Sequence, residues 1–554
     1  MKKILSIYAL LFVGSISFAQ TVPNSTENYV FSTTCLTADC LKKAETVQYF
    51  DGLGRPKQVV NVKASPAKND VVTTIPYDGF GRQVDSYLPV SMTSANGGIQ
   101  SLDSAGVVSY YNAAQNGTTK DFPIKDDRPF SHQVLENSPL DRIQKHIQVG
   151  NAWQNKPVTF GYETNEKDDV YKYITTTSWS DNATLSVLTL AQATDTSSSN
   201  HSYKANQLYK NTVTDEDGNT STEFKNGQGQ TLLVRKNDGV NNVDTYYVYN
   251  EYNQLAFVIP PKAVGSLFPD TTLSADSTIL NDLCYQYRYD GRGRLVEKKL
   301  PGKGSEYMVY DQQDRLVLTQ DANLRLTTNN FKAKGWLFTK YDKFGRVVYT
   351  GFFKNTATRS VMQTALNNMQ ANAANNELRT AGITFTSQGM PVYYNNEGFP
   401  TGAKVLLSVN YYDSYPTGTP YPANNKIQGE PILEDVFPAG VTQSTQSLPT
   451  ASFVKNIEDD NWTQNYSFYD RKGRVIGGHS INHLGGYTKT ESILDFTGVP
   501  QKMFTYHKRL NSSTEVKIEE TFDYDHQNRL LVHKHQVDLE PEEILTQNSY
   551  NEIG

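Results

Sequence analysis

One short pattern, aromatic-Asp-x-x-Gly-Arg, returns again and again along the chain and constrains the fold more than any other feature. Its clear copies are Phe50-Asp51-Gly52-Leu53-Gly54-Arg55, Tyr77-Asp78-Gly79-Phe80-Gly81-Arg82, Tyr289-Asp290-Gly291-Arg292-Gly293-Arg294, Tyr341-Asp342-Lys343-Phe344-Gly345-Arg346 and Tyr469-Asp470-Arg471-Lys472-Gly473-Arg474. Weaker copies run Tyr310-Asp311 to Asp314-Arg315 and Tyr524-Asp525 to Asn528-Arg529. Degenerate ones are Phe224 to Gln230 and Tyr249 to Gln254. Strand formers follow most of them, as in Leu295-Val296, Val347-Val348, Val475-Ile476 and Leu530-Leu531. A motif repeated this way is a unit of construction.

The residue types say what the unit is. Alternation before the Asp, as in Tyr285-x-Tyr287-x-Tyr289, sets three rings on one face of a strand. Asp favours the first position of a turn because its carboxylate accepts bonds from backbone N–H groups two residues on. Gly supplies the positive φ that closes a hairpin. Where Gly is missing, Asp314, Asn528 and Asn253 stand in its place, types that tolerate left-handed geometry. Arg then opens the return strand, where it can stack on Tyr or pair with Asp. An active site is needed once, whereas this Asp and Arg recur many times, so they are read as turn carboxylate and strand-pairing cation. The expected turn set is Asp51, Gly54, Arg55, Asp78, Gly81, Arg82, Asp290, Gly293, Arg294, Asp311, Arg315, Asp342, Gly345, Arg346, Asp470, Gly473, Arg474, Asp525 and Arg529.

Composition agrees with a mainly β chain. Tyr, at 35 residues, exceeds Phe (24) and Trp (4), and its ring and hydroxyl suit half-buried pleated surfaces. The net charge of −6 offers no general basic face, which speaks against nucleic-acid binding. Lys2 and Lys3, an apolar run from Ile4 to Ile16 and then Ser17-Phe18-Ala19 make residues 1–19 a signal peptide, cleaved near Ala19-Gln20. The run is too short to span a bilayer, and no later stretch is long and apolar enough. The mature chain is therefore expected to be secreted or surface-borne, without a transmembrane segment. Export permits a disulfide, and Cys35 and Cys40 have the spacing to close a small loop, with the bonded and free states both open. Cys284, beside Tyr285, is read as a small buried hydrophobe.

In these repeats the chain resembles the YD-repeat proteins of the Rhs family, which include polymorphic toxins and wall-associated proteins. The resemblance implies a spiral of stacked β-hairpins forming part of a hollow shell, which in that family commonly encloses a C-terminal toxin domain. Asp51-Gly-Leu-Gly-Arg-Pro56, Phe130 to Arg142, Tyr209-Lys-Asn211 with Asp215-Glu-x-Gly218, Val258-Ile-Pro-Pro261, Tyr411 to Tyr415 and Leu494 to Gly498 look like the uncharacterised domain that precedes YD repeats in secreted members. The likeness runs from about residue 28 to the end.

Along the chain the expected order is an irregular leader over 20–45, an N-terminal YD-like β module over 46–265, and a YD-repeat β module over 280–554. Polar residues 186–206 read as a surface loop, and Pro416 to Pro422 as another. Arg359 to Ala381 departs from β: Val361, Met362, Ala365, Leu366 and Met369 fall at helical spacing, so one short amphipathic helix is expected near 360–380. Tyr550 to Gly554 begins a further repeat and stops at its Gly, so the second module reads as incomplete, with any toxin domain beyond it.

Other chemistry finds little purchase. His479 and His483 stand four apart without the Glu of a metalloprotease motif, and His533 and His535 alternate on a strand. Asp215 to Asn219 imitates part of a calcium loop but lacks its distal Glu, and reads as a β-turn. No phosphate loop or nucleophile elbow is present in the sequence, and no cofactor or catalytic residue is expected. The functional expectation is a structural shell or scaffold that houses or presents a C-terminal effector. A cell-surface module binding carbohydrate or a neighbouring cell is the alternative, and a hydrolase on a β scaffold ranks last.

Overall fold

The computed structural model describes residues 26–113, 128–191, 201–237, 241–267, 272–273, 277–369, 375–402, 404–435 and 443–553. The expected signal peptide, Gly554 and residues 192–200 of the polar interruption lie outside them. The chain is mainly β and divides into two compact units. One comprises Met1–Asn155, Tyr524–Leu531 and Asn548–Gly554; the other comprises Lys156–Asp523 and Val532–Gln547.

The smaller unit holds a five-stranded antiparallel sheet in the order Asn28–Cys35, Lys43–Phe50, Pro56–Val62, Asp70–Thr74 and Val90–Met92. Alternation sends Val47, Tyr49, Val60, Val62 and Val72 into one buried cluster. Gly97 lies against that cluster with φ +81°; a Cβ there would meet Val47 and Val62 at 3.0 Å, and its carbonyl accepts the Tyr49 hydroxyl at 2.7 Å. Residues 28–35 were expected to be irregular. They form a strand instead, mostly exposed, which pairs over its full length with Lys43–Phe50. Its polar, Thr- and Ser-rich face gave no hydrophobic alternation to read. Beyond its end Cys35 and Cys40 are disulfide-bonded, with Cα atoms 4.7 Å apart. The helix Ser104–Ala113 presses Val107 and Tyr111, one turn apart, onto Val90.

In the larger unit a continuous antiparallel sheet begins Val158–Thr164, Tyr209–Thr214, Thr220–Lys225, Thr231–Asn237, Asn242–Tyr249 and Leu255–Ile259. It continues strand by strand through Tyr285–Tyr289, Glu306–Tyr310, Gly335–Tyr341, Lys404–Tyr412 and Trp462–Tyr469 to Val516–Tyr524. Most neighbours in space are neighbours in sequence, so hairpin closure builds the sheet from local contacts. Several excursions leave it, two of them the larger. One contains the hairpin Tyr173–Ser180 with Ala183–Leu190; the other contains the helix Arg359–Asn367 and the hairpin Phe385–Ser387 with Met390–Val392. Buried cores flank them: Phe224, Leu233, Tyr246, Ile259 and Cys284 in one cluster, Trp336, Phe338, Tyr349, Tyr411 and Phe453 in another.

The helix expected near 360–380 is present as Arg359–Asn367, but its buried face is Arg359, Met362, Gln363 and Leu366, while Val361 is 56% exposed. Gln363 explains part of the rotation. Its amide accepts from Tyr310 N at 3.1 Å and donates to Tyr310 O at 2.7 Å, closing a strand edge. Three further short helices, Ser104–Ala113, Pro261–Leu267 and Thr278–Leu283, gave no clear signal.

Candidate functional site

The recurring hairpin turn has one geometry at all seven Asp–Arg copies. The Asp N–H donates to the Arg carbonyl at 2.8–3.0 Å, and the N–H of the residue before Arg donates to the Asp carbonyl at 2.9–3.2 Å. That penultimate residue is left-handed: φ is 76–81° at Gly54, Gly81, Gly293, Gly345 and Gly473, and 61° at Asp314 and Asn528. The register shifts by one just before most of these turns, as between Arg288 and Tyr289, so each is a tight turn closed by a bulge.

The Asp carboxylate divides its work. Oδ1 accepts the N–H two residues on at 2.8–2.9 Å and the Arg N–H at 2.9–3.0 Å. Oδ2 accepts the Arg Nε at 2.6–2.9 Å. Stabilising only the charged form lowers its pKa. The Arg55 backbone N–H, aided by the Arg55 guanidinium, holds Asp51 below the ordinary carboxylate value, and Arg82 does the same for Asp78.

The degenerate copies keep the geometry and exchange the chemistry. At Asn226 and Asn250, Oδ1 still accepts both backbone N–H groups at 2.9–3.0 Å. The second atom is now a donor: Asn226 Nδ2 reaches Gln230 Oε1 at 2.7 Å, and Asn250 Nδ2 reaches Gln254 Oε1 at 2.9 Å. Acid with cation has become amide with amide. The same turn occurs at Asp215–Asn219, the calcium-loop look-alike, and at Asp495–Val499 and Asn482–Gly486. The last three were missed as repeats because neither Tyr nor Arg frames them; an Asp or Asn three residues before Gly was the signal. In a longer loop Glu136 takes the acid's part, with Arg142 bidentate on it at 2.8 and 2.9 Å and its pKa drawn down to about 2.

Each Arg also reaches forward. Arg55 lies over the Tyr77 ring at 4.3 Å, Arg294 over Tyr310 at 5.0 Å, Arg315 over Tyr341 at 4.8 Å, Arg346 over Tyr412 at 4.4 Å and Arg529 over Tyr550 at 4.7 Å. In each case that Tyr donates its hydroxyl to the carbonyl following the Arg, at 2.7–3.1 Å: Pro56, Leu295, Leu316, Val347 and Leu530. Arg294 further donates to Asp311 O at 3.0 Å, and Arg346 grips Asp413 at 2.6 and 3.0 Å. Five of the seven Asp–Arg hairpins are thus latched forward by a Tyr–Arg–Asp chain, while Arg82 reaches Asp141 and Arg474 reaches the Asp495 carbonyl instead. These side chains spend their donors and acceptors on the fold itself.

Lys340 is buried with Glu377, their side chains 1% and 0% exposed, and its ammonium donates to Glu377 at 2.7 Å, Asn396 at 2.9 Å and Gly398 O at 2.6 Å. Three acceptors satisfy it completely. The strand Gly335–Tyr341 buries Trp336, Phe338 and Lys340 in turn, so period-2 alternation was the available clue. Burial and nearby Lys340 bring Lys404 down to about 7. Every carboxylate with a resolved shift among the described residues moves downward, the reverse of what a general acid needs. His479 lies in the strand Val475–Ile481 against the Tyr487 ring, and burial lowers its pKa. His533 meets Glu520 at 2.9 Å and His535 meets Glu543 at 3.4 Å. No group of three or more His, Cys, Asp or Glu among the described residues could hold a metal. No helix among them is long and apolar enough to cross a membrane.

Residues 22–165 match the family model of a domain of unknown function, DUF6443. No curated protein matches the chain. A chain of the TcdB2-TccC3-Cdc42 crystal structure is similar at 10% identity and TM-score 0.40, over 92% of this chain and 22% of that one. TcdB2-TccC3 gives 11% identity and TM-score 0.39 over 95% and 23%. A Tc holotoxin pore of Photorhabdus luminescens gives 12% identity and TM-score 0.32 over 92% and 26%. The chain therefore spans 22–26% of the length of these structures.

Proposed function

We propose that this chain is a secreted structural scaffold of the YD-repeat, Rhs-like kind, whose hairpins wall off or present an effector domain. The observation that carries the reading is the latch: the same Asp–Arg–Tyr constellation, repeated along the chain, is consumed by contacts between successive hairpins. A catalytic constellation presents a reactive atom to substrate, whereas the Asp carboxylates of these turns are taken up by their own backbone and Arg. The positively charged, apolar leader supports export. The mechanism is physical: paired strand edges exclude solvent, proteases and other chains from whatever lies behind them.

A second reading is favoured by one surface feature. Trp179 and Tyr252, 50% and 53% exposed, stand 6.0 Å apart with the indole N–H donating to the phenol oxygen at 3.2 Å. Exposed aromatic pairs of this kind suit the apolar face of a sugar, so a carbohydrate-binding surface module is the alternative.

Purification of the native product from the culture medium, followed by trypsin with and without denaturant, separates the two. The scaffold reading expects a companion polypeptide that resists trypsin until the sheet is unfolded. Saturable glycan binding that is lost in Trp179→Ala, with no protected polypeptide, would overturn it.

A further inference from the structure

A cleft of about 440 Å³ in the larger unit opens where the helix Arg359–Asn367 begins. Arg288, Arg325, Lys334 and Arg359 line it, against only two carboxylates, Asp181 and Glu297. Glu297 is already engaged by Arg288 at 3.0 Å. Arg325 lies over the Tyr307 ring at 4.7 Å and bonds only carbonyl oxygens, Ser305 at 2.6 Å and Gln320 at 3.4 Å. Lys334 stands exposed at the rim.

Arg359 is the telling residue. It is 6% exposed, one of its terminal nitrogens donates to the Asp181 carbonyl, and Nη1 has no partner among the described residues. Burial, with Arg288 close by, makes its charge harder to hold. A guanidinium buried without an anion is costly, because its lost hydration is not replaced. It sits on the first turn of a nine-residue helix whose N-terminal Thr358 makes no side-chain capping bond. The helix start adds partial positive charge and unclaimed backbone donors to the same wall.

We propose that this cleft binds an oxyanion, carboxylate, sulfate or phosphate, carried by a small polar molecule of sugar size. Arg359 and Arg325 grip the anionic oxygens, the helix start and whichever of the mutually bonded Thr358 and Ser360 hydroxyls keeps its proton outward complete the donor set, and the Tyr307 ring packs against the carbon skeleton. The planar fork of two guanidiniums fits such groups better than a halide. The volume, several times that of a bare tetrahedral anion, favours an acidic sugar.

The test is isothermal titration and thermal shift of the whole chain with inorganic phosphate, sulfate and glucuronate, each against chloride at equal ionic strength and against neutral glucose. Saturable binding of an oxyanion, absent with chloride and glucose, is expected. Response to glucuronate above phosphate and sulfate assigns an acidic sugar; response to the inorganic ions alone assigns free oxyanion. Arg359→Met should abolish the response while leaving the melting temperature in chloride unchanged or raised, since it removes an unpaired buried charge. Lys334→Ala, at the exposed rim, and Arg325→Met should each weaken binding several-fold and keep the test sound if Arg359→Met misfolds. Responses identical to chloride, or binding undiminished in Lys334→Ala and Arg325→Met, would overturn the proposal.

Discussion

Asp311→Asn and Asn250→Asp are the same chemical change made in opposite directions, and the turn geometry makes them unequal. Asp311 Oδ2 accepts Arg315 Nε at 2.7 Å and Nη2 at 2.7 Å, with side chains 3% and 12% exposed. Asn at this position keeps Oδ1 for the two backbone N–H groups but turns an NH₂ toward a guanidinium that has no acceptor. The two charge-assisted bonds from Arg315 and a third from Asn375 Nδ2 at 3.2 Å are lost, and donors face donors. Breaking one side of a buried pair costs about 3–5 kcal/mol. Arg315 keeps its bonds to Asp342 O at 3.2 Å and Asn376 at 2.9 Å, so a cost near the lower end, about 3 kcal/mol, is expected. Asn250→Asp places an acceptor against Gln254, whose amide rotates to present its NH₂, so a cost below about 1 kcal/mol follows. Hydrogen exchange read by mass spectrometry on peptides covering 306–320 and 242–259 reports each hairpin locally. Exchange should quicken on the order of a hundredfold in Asp311→Asn and less than about fivefold in Asn250→Asp. Equal effects would show that the second side-chain atom carries no weight and that the latch is incidental.

Gly345, at φ +79° with nothing within 4 Å of a built Cβ, should lose about 1 kcal/mol as Ala and almost none as Asn, read from denaturant midpoints. Gly351→Ala, whose Cβ would lie 2.3 Å from Val405 O, should give insoluble protein when expressed beside the soluble parent chain. Tyr341→Phe should cost about 1 kcal/mol through the lost 2.7 Å bond to Leu316 O, while Tyr341→Leu, which also loses the Arg315 stack, should cost more. On acidification, Asp51, Asp78 and Asp215 have folded pKa values below 3.8, so their stabilisation is complete above the unfolded value and fades as pH falls through the folded one. Circular dichroism should therefore show unfolding begin only below about pH 4, and an onset near pH 6 would contradict this. Alkylation should label Cys35 and Cys40 only after reduction, and Cys284, fully buried with its thiol pushed up to about 12, only after unfolding.

The hairpins were legible because Asp, Gly and Arg each answer a local backbone demand, and local demands survive in sequence. Asp314 and Asn528 in place of Gly were readable for the same reason: the backbone angle limits the choice to few residue types. The turn at Asn482–Gly486 was harder, since only its carboxamide and its Gly remained. The helix Arg359–Asn367 was visible in its period, yet its buried face was not. Gln363 and Arg359 are drawn inward by Tyr310 and Asp181, far away in the chain. Lys340 and Glu377 look like surface charges until the sheet brings them together. Long-range pairing leaves no local trace, and the charged cleft was invisible for that reason.

The forward reach of each Arg gives the fold a direction in time. Arg294 finds its ring sixteen residues later at Tyr310, and Arg55 twenty-two later at Tyr77. During synthesis, with the N-terminus leading, a latched hairpin can close on its own Asp but is fastened only when the next Tyr arrives. Where the latch is present, assembly then proceeds as a ratchet, a newly emerged turn fixing the one before it. A latched hairpin stays reversible until its Tyr emerges and is fastened from then on.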